Sequence, residues 1–226
     1  MRHFLITAAC IAALPGLARA QAPVPVVQAV KSDSAPKGPS GFMFRVGGFM
    51  VNAERNYAFN QNVKTGTGSL KGVDVLLRGG GAGISARSLS GTFGQLDVIS
   101  ADVNLLLGPP VFTVSVGASK CALSSTLATQ VYTFGRVGVQ MSFLIGGTGL
   151  SAQVGGCGYV PSPDDTKRMK VGGEGEGSII YTPPKFPIYL QLGYRTEVFT
   201  SQTLTTQTPE EVRGLRLGAG IQLGGK

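Results

Sequence analysis

From residue 41 onward, apolar and polar residues alternate with a period of two, the mark of strands that hold one face in an apolar environment. Phe42, Phe44, Val46, Gly48 and Met50 share one face of the first such segment; Met43, Arg45, Gly47 and Phe49 share the other. Val73, Val75 and Leu77 then alternate with Asp74, Leu76 and Arg78, and Ala82, Ile84 and Ala86 with Gly83, Ser85 and Arg87. Further strands fall at 96–107, 111–119, 131–145, 150–159, 170–181, 188–199 and 211–223. In the last of these Leu215, Leu217, Ala219, Ile221 and Leu223 oppose Gly214, Arg216, Gly218, Gly220 and Gln222.

The connections differ in kind. Tight Gly/Pro turns occur at Arg78-Gly79-Gly80-Gly81, Gly108-Pro109-Pro110, Ile145-Gly146-Gly147-Thr148 and Thr182-Pro183-Pro184-Lys185. Between them lie longer polar stretches at 52–69, 88–94, 121–130, 161–169 and 201–209. A soluble sandwich has no reason to make every second connection long. A barrel crossing an outer membrane does, with short turns on the periplasmic side and longer loops outside. The segments are close to the roughly 9–11 residues a tilted strand needs to cross a bilayer, and no later apolar run reaches the roughly 20 residues of a spanning helix. Four short turns and five outer loops require ten strands. Residues 71–87 read as one continuous strand would give nine, breaking the even count usual for such barrels. The triple glycine favours a turn there, and its surroundings are echoed at Leu144–Ala152. The expected fold is therefore all-β, an up-and-down antiparallel transmembrane barrel of ten strands, with eight as the fallback.

The N-terminus sets the expected compartment. Arg2 and His3 precede an apolar run from Phe4 to Leu14, and Ala18-Arg19-Ala20 supplies small residues before Gln21. That layout reads as a signal peptide over 1–20. Residues 21–40, with Pro23, Pro25, Pro36 and Pro39, read as a Pro-rich periplasmic linker. The barrel is then 41–226. Taking Arg2 and Arg19 from the 20 basic residues leaves 18 against 12 acids, an excess of six. The basic residues are dispersed and lack interleaved aromatics, so nucleic acid is not the expected partner; anionic lipopolysaccharide is.

Collecting the inward parities gives Arg45, Asp74, Arg78, Arg87, Asp102, Arg136, Glu174, Glu176, Arg195, Glu197 and Arg216, six arginines and five carboxylates. A ten-stranded lumen is narrow enough for side chains to fill. Charges away from bulk water must pair, so the expectation is a mutually paired polar plug, against the plainer alternative of scattered solvated charges. Periodicity alone does not exclude a sandwich, whose apolar face points to a core instead of lipid.

Catalytic chemistry is scarce. His3 is the only histidine and leaves with the signal peptide, removing the base on which small barrel enzymes depend. Glu174 and Glu176 share a strand face and could act as paired carboxylates or bind calcium, but lumenal arginine partners are the better reading. Asp164-Asp165 reads as a solvated turn before it reads as a weak divalent site. Gly79–Gly83 lacks the Lys-Ser/Thr ending of a phosphate loop. No metal or cofactor is expected. Cys121 and Cys157 survive processing with inward parity, on strands two steps apart. The periplasm permits a disulfide, although two strand spacings exceed the usual Cα reach.

The Gly-Phe-Met-Phe-Arg-Val-Gly-Gly opening strand and Gly-Leu-Arg-Leu-Gly-Ala-Gly-Ile-Gln-Leu closing strand, behind a signal peptide and Pro-rich lead, resemble the small outer-membrane barrels of Gram-negative bacteria, the OmpA/OmpX-like group, over about 41–226. The resemblance implies a non-enzymatic cell-envelope protein in contact with lipid, lipopolysaccharide and the barrel assembly machinery. Its role would be structural or surface-interacting through outer loops, with any extracellular ligand unnamed. A narrow porin-like channel and a secreted soluble β-sandwich binding protein are the alternatives. Two features depart from the group. The chain ends Leu223-Gly224-Gly225-Lys226 where an aromatic residue is common, and it has no Trp, leaving Phe42, Phe143, Tyr181 and Tyr194 for the interfacial girdles.

Overall fold

The computed structural model describes residues 41–59, 62–93, 96–124, 129–162, 169–202 and 207–225. The signal-peptide and linker assignments, and Asp164-Asp165, lie outside the described residues. Ten strands run in chain order: β1 (Met43–Phe59), β2 (Asn62–Gly79), β3 (Ala82–Phe93), β4 (Leu96–Leu107), β5 (Phe112–Ser124), β6 (Thr129–Ile145), β7 (Leu150–Pro161), β8 (Met169–Tyr181), β9 (Ile188–Gln202) and β10 (Gln207–Gly224). Each pairs antiparallel with its sequence neighbours, and β1 pairs with β10, so the sheet closes into an up-and-down barrel. Closure removes both sheet edges and excludes the sandwich alternative. The triple glycine does make a turn: Gly79 faces Ala82, and Gly80 adopts φ +56°, a backbone conformation open to glycine at no steric cost. That separates β2 from β3 and excludes the one-strand reading of 71–87.

Four of the five long outer connections are a correction; the stretch read at 161–169 does coincide with the interval between β7 and β8. The bounds leave two residues between β1 and β2, two between β3 and β4, and four between β9 and β10. Most of the stretches read as loops at 52–69, 88–94, 121–130 and 201–209 are strand. Their polarity misled because it belongs to strand ends carried past the apolar band, where hydrogen-bonding side chains pair across the ladder. Thr65 Oγ1 donates to Asn56 Oδ1 at 3.0 Å, Thr92 Oγ1 to Asp97 Oδ1 at 2.9 Å, and Arg213 lies 3.1 Å from Glu54. Strands of 12 to 18 residues exceed what a bilayer requires, so one end of the barrel projects.

The outer face is apolar over the expected height. Ile99, Val103, Leu105 and Leu107 on β4 are exposed, as are Ile188, Leu190, Leu192, Tyr194 and Val198 on β9, and Leu215, Leu217, Ile221 and Leu223 on β10. In water, so large an apolar surface would drive aggregation; against acyl chains it is the stable arrangement. Phe42, Phe112, Phe143, Tyr181 and Phe186 cluster toward the Gly/Pro-turn end, and both chain ends of the barrel lie at that same end.

Candidate functional site

The lumen is built in three layers. The end away from the Gly/Pro turns holds an apolar plug. Phe49, Val51, Leu70, Leu89, Phe93, Val98, Leu123, Tyr132, Phe134 and Tyr159 are all buried and in one cluster. The Phe134 and Tyr159 rings stand 4.4 Å apart. This layer was not read from the sequence, because Leu89, Phe93 and Leu123 fell in stretches taken for loops and Leu70 lay at the edge of another. The available signal was parity: each lies an even number of residues from an inward residue on its own strand, such as Asp74, Arg87 or Cys121.

The middle layer is a belt of charge. Neighbouring-strand register supplies some pairs: Arg87 faces Asp102 between β3 and β4, and Glu176 faces Arg195 between β8 and β9. Arg87 Nη2 lies 2.5 Å from Asp102 Oδ2, and Arg136 Nη1 lies 2.7 Å from the same oxygen. The hub is Glu174, 6% exposed, whose Oε2 is 3.0 Å from Arg87, Arg136 and Arg195 alike. Glu197 stands opposite Glu174 in the β8–β9 register, a like-charge juxtaposition that would ordinarily destabilise a sheet. Arg195 Nη2 bridges the two at 3.0 Å each, and Tyr159 Oη donates toward Glu197 Oε1 at 2.7 Å. Arg216 completes the belt, 3.0 Å from Asp74 and 2.7 Å from Glu176. Its guanidinium also sits 4.2 Å from the Phe49 ring centroid, joining the belt to the plug.

Nine of the eleven charged positions thus meet in one network. Arg45 and Arg78 do not: among the described residues neither has a carboxylate partner. Arg78 instead donates to Thr113 Oγ1 at 3.0 Å and to the Gly108 carbonyl, and Arg45 lies 5.1 Å from the Tyr189 ring centroid.

The third layer, toward the Gly/Pro turns, is a cavity of about 580 Å³ lined by Arg45, Arg78, Asn104, Gln140, Gln153 and Gln222 among others. Tyr189 is buried, 1% exposed, with its hydroxyl donating to Asp74 Oδ1 at 3.0 Å. The ring lies against Gly47, where any Cβ would collide with the hydroxyl.

Cys121 and Cys157 are free thiols. Cys121 is level with Tyr132 on β6, whereas Cys157 is level with Gly138. Six residues of strand separate the two levels, roughly 20 Å, well beyond disulfide reach. The bond left open by the sequence is therefore not made; parity set the face and left the height undetermined. Intact mass is expected to be identical with and without reductant, with both thiols alkylated after unfolding. A two-dalton difference would show a bond.

Among the described residues no three potential ligands are grouped to hold a metal ion. Glu174 and Glu176 are each engaged by arginines.

No family model matches the chain, and no curated protein matches it. Solved structures that are similar include Neisserial surface protein A, at 11% identity over 79% of this chain and 96% of that one, with a TM-score of 0.39. The KdgM porin is similar at 12% identity over 76% and 98%, TM-score 0.36. Ail, the attachment invasion locus protein of Yersinia pestis, is similar at 10% identity over 80% and 99%, TM-score 0.28. At these scores the likenesses carry no functional argument.

Proposed function

We propose that this chain, a small barrel of outer-membrane type, is a non-enzymatic membrane protein with a closed lumen. Its role would be structural or surface-interacting at the projecting end. The carrying observation is the double closure of the lumen, by the nine-residue charge belt and by the apolar plug stacked on it. An ion crossing here would have to break paired charges and then enter a layer made mostly of hydrocarbon side chains. The absence of a mature histidine supports the non-enzymatic reading.

Export through residues 1–20, insertion by the barrel assembly machinery and residence in the outer membrane are parts of the same proposal. The Gly/Pro-turn end, which carries both termini, would face the periplasm. Just past Val73, Ala118 and Leu215 on the outer face, Lys71, Lys120 and Arg213 are exposed toward the projecting end, the level at which lipopolysaccharide phosphates would meet them.

Planar-bilayer recording separates this reading from a narrow porin-like channel. The protein is expected to show no stable open-channel current at either polarity. A reproducible, long-lived conductance step would establish the porin-like alternative. Fractionation with heat-modifiable migration on gels tests the membrane assignment independently, a soluble unshifted protein being the contrary result.

A further inference from the structure

The cavity beneath the belt has features the closed-lumen role does not use. It opens at the rim formed by Gly41, Gly80, Pro110, Gly146, Pro184 and Gly225, and the belt forms its floor, so it is a cup and not a passage. Its volume, about 580 Å³, lies within the range of sites for small organic molecules.

The charges around the cup are already spent. Arg78 gives its guanidinium to Thr113 and the Gly108 carbonyl, and Arg45 lies against the Tyr189 ring. Asp74 takes Arg216 and the Tyr189 hydroxyl, while Glu174 and Glu176 are held by arginines of the belt. An ionic ligand would bring in a charge with no counter-charge free to receive it, and would keep the full cost of its desolvation. A neutral ligand meets no such penalty.

What the cup leaves free is uncharged hydrogen-bonding capacity, gathered on one wall. Gln140 and Ser142 on β6, Gln153 on β7 and Ser178 on β8 share the inward parity of Arg136, Cys157 and Glu174. Register makes them contiguous, since Gln153 stands opposite Ser142 on one side and Ser178 on the other. The Gln140 carboxamide reaches Ser142 at 3.5 Å, the outer limit of a hydrogen bond, and that of Gln153 has no partner among the described residues. Gln140 is exposed and Gln153 half-buried, so both carboxamides are open to whatever fills the cup.

The facing wall is of another kind. β1 and β2 lie five strands from β6 and β7 around the barrel. There Met43 and Leu76 line the cup, each opposite one of the engaged arginines. A carboxamide wall thus faces an aliphatic one. A sugar ring has the same division, with hydroxyls around its edge and C–H groups on its faces. Carboxamides both donate and accept, as hydroxyls do, and aliphatic side chains gain by covering C–H surface.

We infer that the cup binds a small neutral saccharide of about disaccharide size, entering from the Gly/Pro-turn end. Its hydroxyls engage Gln140 and Gln153, and its C–H face lies toward Met43 and Leu76. The belt prevents onward transfer, so this is a binding site rather than a transport path.

The test is isothermal titration of the full-length mature barrel, in a detergent without a sugar headgroup, with lactose and with lactobionate. The second is the same disaccharide oxidised at its reducing end to a carboxylate. Lactose is expected to bind at millimolar or lower concentration, and lactobionate about tenfold more weakly or worse. Q153L and Q140L keep the side-chain volume but remove the carboxamide, and each is expected to weaken lactose binding roughly tenfold. R213Q, on the outer face, leaves it unchanged. Heat-modifiable migration establishes that each variant is folded; should Q153L fail that check, Q140L decides. No heat with lactose, lactobionate binding as tightly as lactose, or a folded Q153L protein binding lactose like the parent would each overturn the proposal.

Discussion

Replacing Glu174 with alanine is expected to destabilise the barrel by about 3–5 kcal/mol, the range for removing one partner of a buried ionic network. Three arginines, Arg87, Arg136 and Arg195, converge on its Oε2 at 3.0 Å. The remaining belt carboxylates are already committed, so the arginines would face one another across the lumen without that neutralising oxygen. Arg87 and Arg136 retain Asp102, and Arg195 retains Glu197, which keeps the loss from exceeding this range. Urea titration in lipid vesicles, followed by the folded band on unheated gels, measures the change. Glu54→Ala is the internal reference: its pair with Arg213 has the same 3.1 Å class of contact but side chains 40% and 43% exposed, and is expected to cost no more than about 1 kcal/mol. Equal effects at the two glutamates would mean that the belt contributes no more than a solvated pair.

Phe49→Ala is the second large effect, expected at about 3–5 kcal/mol from lost burial and the space left behind. Phe49 is 6% exposed, and its ring tip fills the space over Gly72, where an added Cβ would come within 2.5 Å of Cζ. Glycine at 72 leaves no side chain to collapse into the gap. Arg216 loses its aromatic surface as well, so the substitution loosens the contact between plug and belt. Phe49→Leu keeps part of the volume and should recover about half of the loss. Measured in the same urea titration, a change under about 1 kcal/mol would show that the plug relaxes around the deletion.

The sequence carried the architecture through two local signals. Alternation from Phe42 to Leu223 gave the faces, and the four Gly/Pro turns gave the count of ten. It misled wherever polarity stood in for backbone state. Asn52, Glu54 and Asn56 look like a loop, yet they continue β1 because their partners lie on β10 and β2. The same error hid the plug, since Leu89 and Phe93 were surrounded by serines and glycines. Within the belt, Arg87 and Asp102 could be paired from adjacent strands. The meeting of Arg87 with Glu174, on β3 and β8, depends on the curvature of the closed sheet. No spacing in the chain encodes a distance across the lumen. For the cysteines, alternation fixed direction but not depth.

The pair between Arg216 and Asp74 joins β10 to β2, over the top of the β1–β10 junction where the first and last strands meet. It therefore can form only once the two ends of the chain have found each other. Until then Asp74 would lack its Arg216 partner on an open sheet, a charge poorly tolerated in hydrocarbon, while Arg216 could already meet Glu176 across β9. The ion pair thus acts as a clasp that rewards completed assembly over every partly joined form, and it ties the order of biogenesis to the polarity of the finished interior.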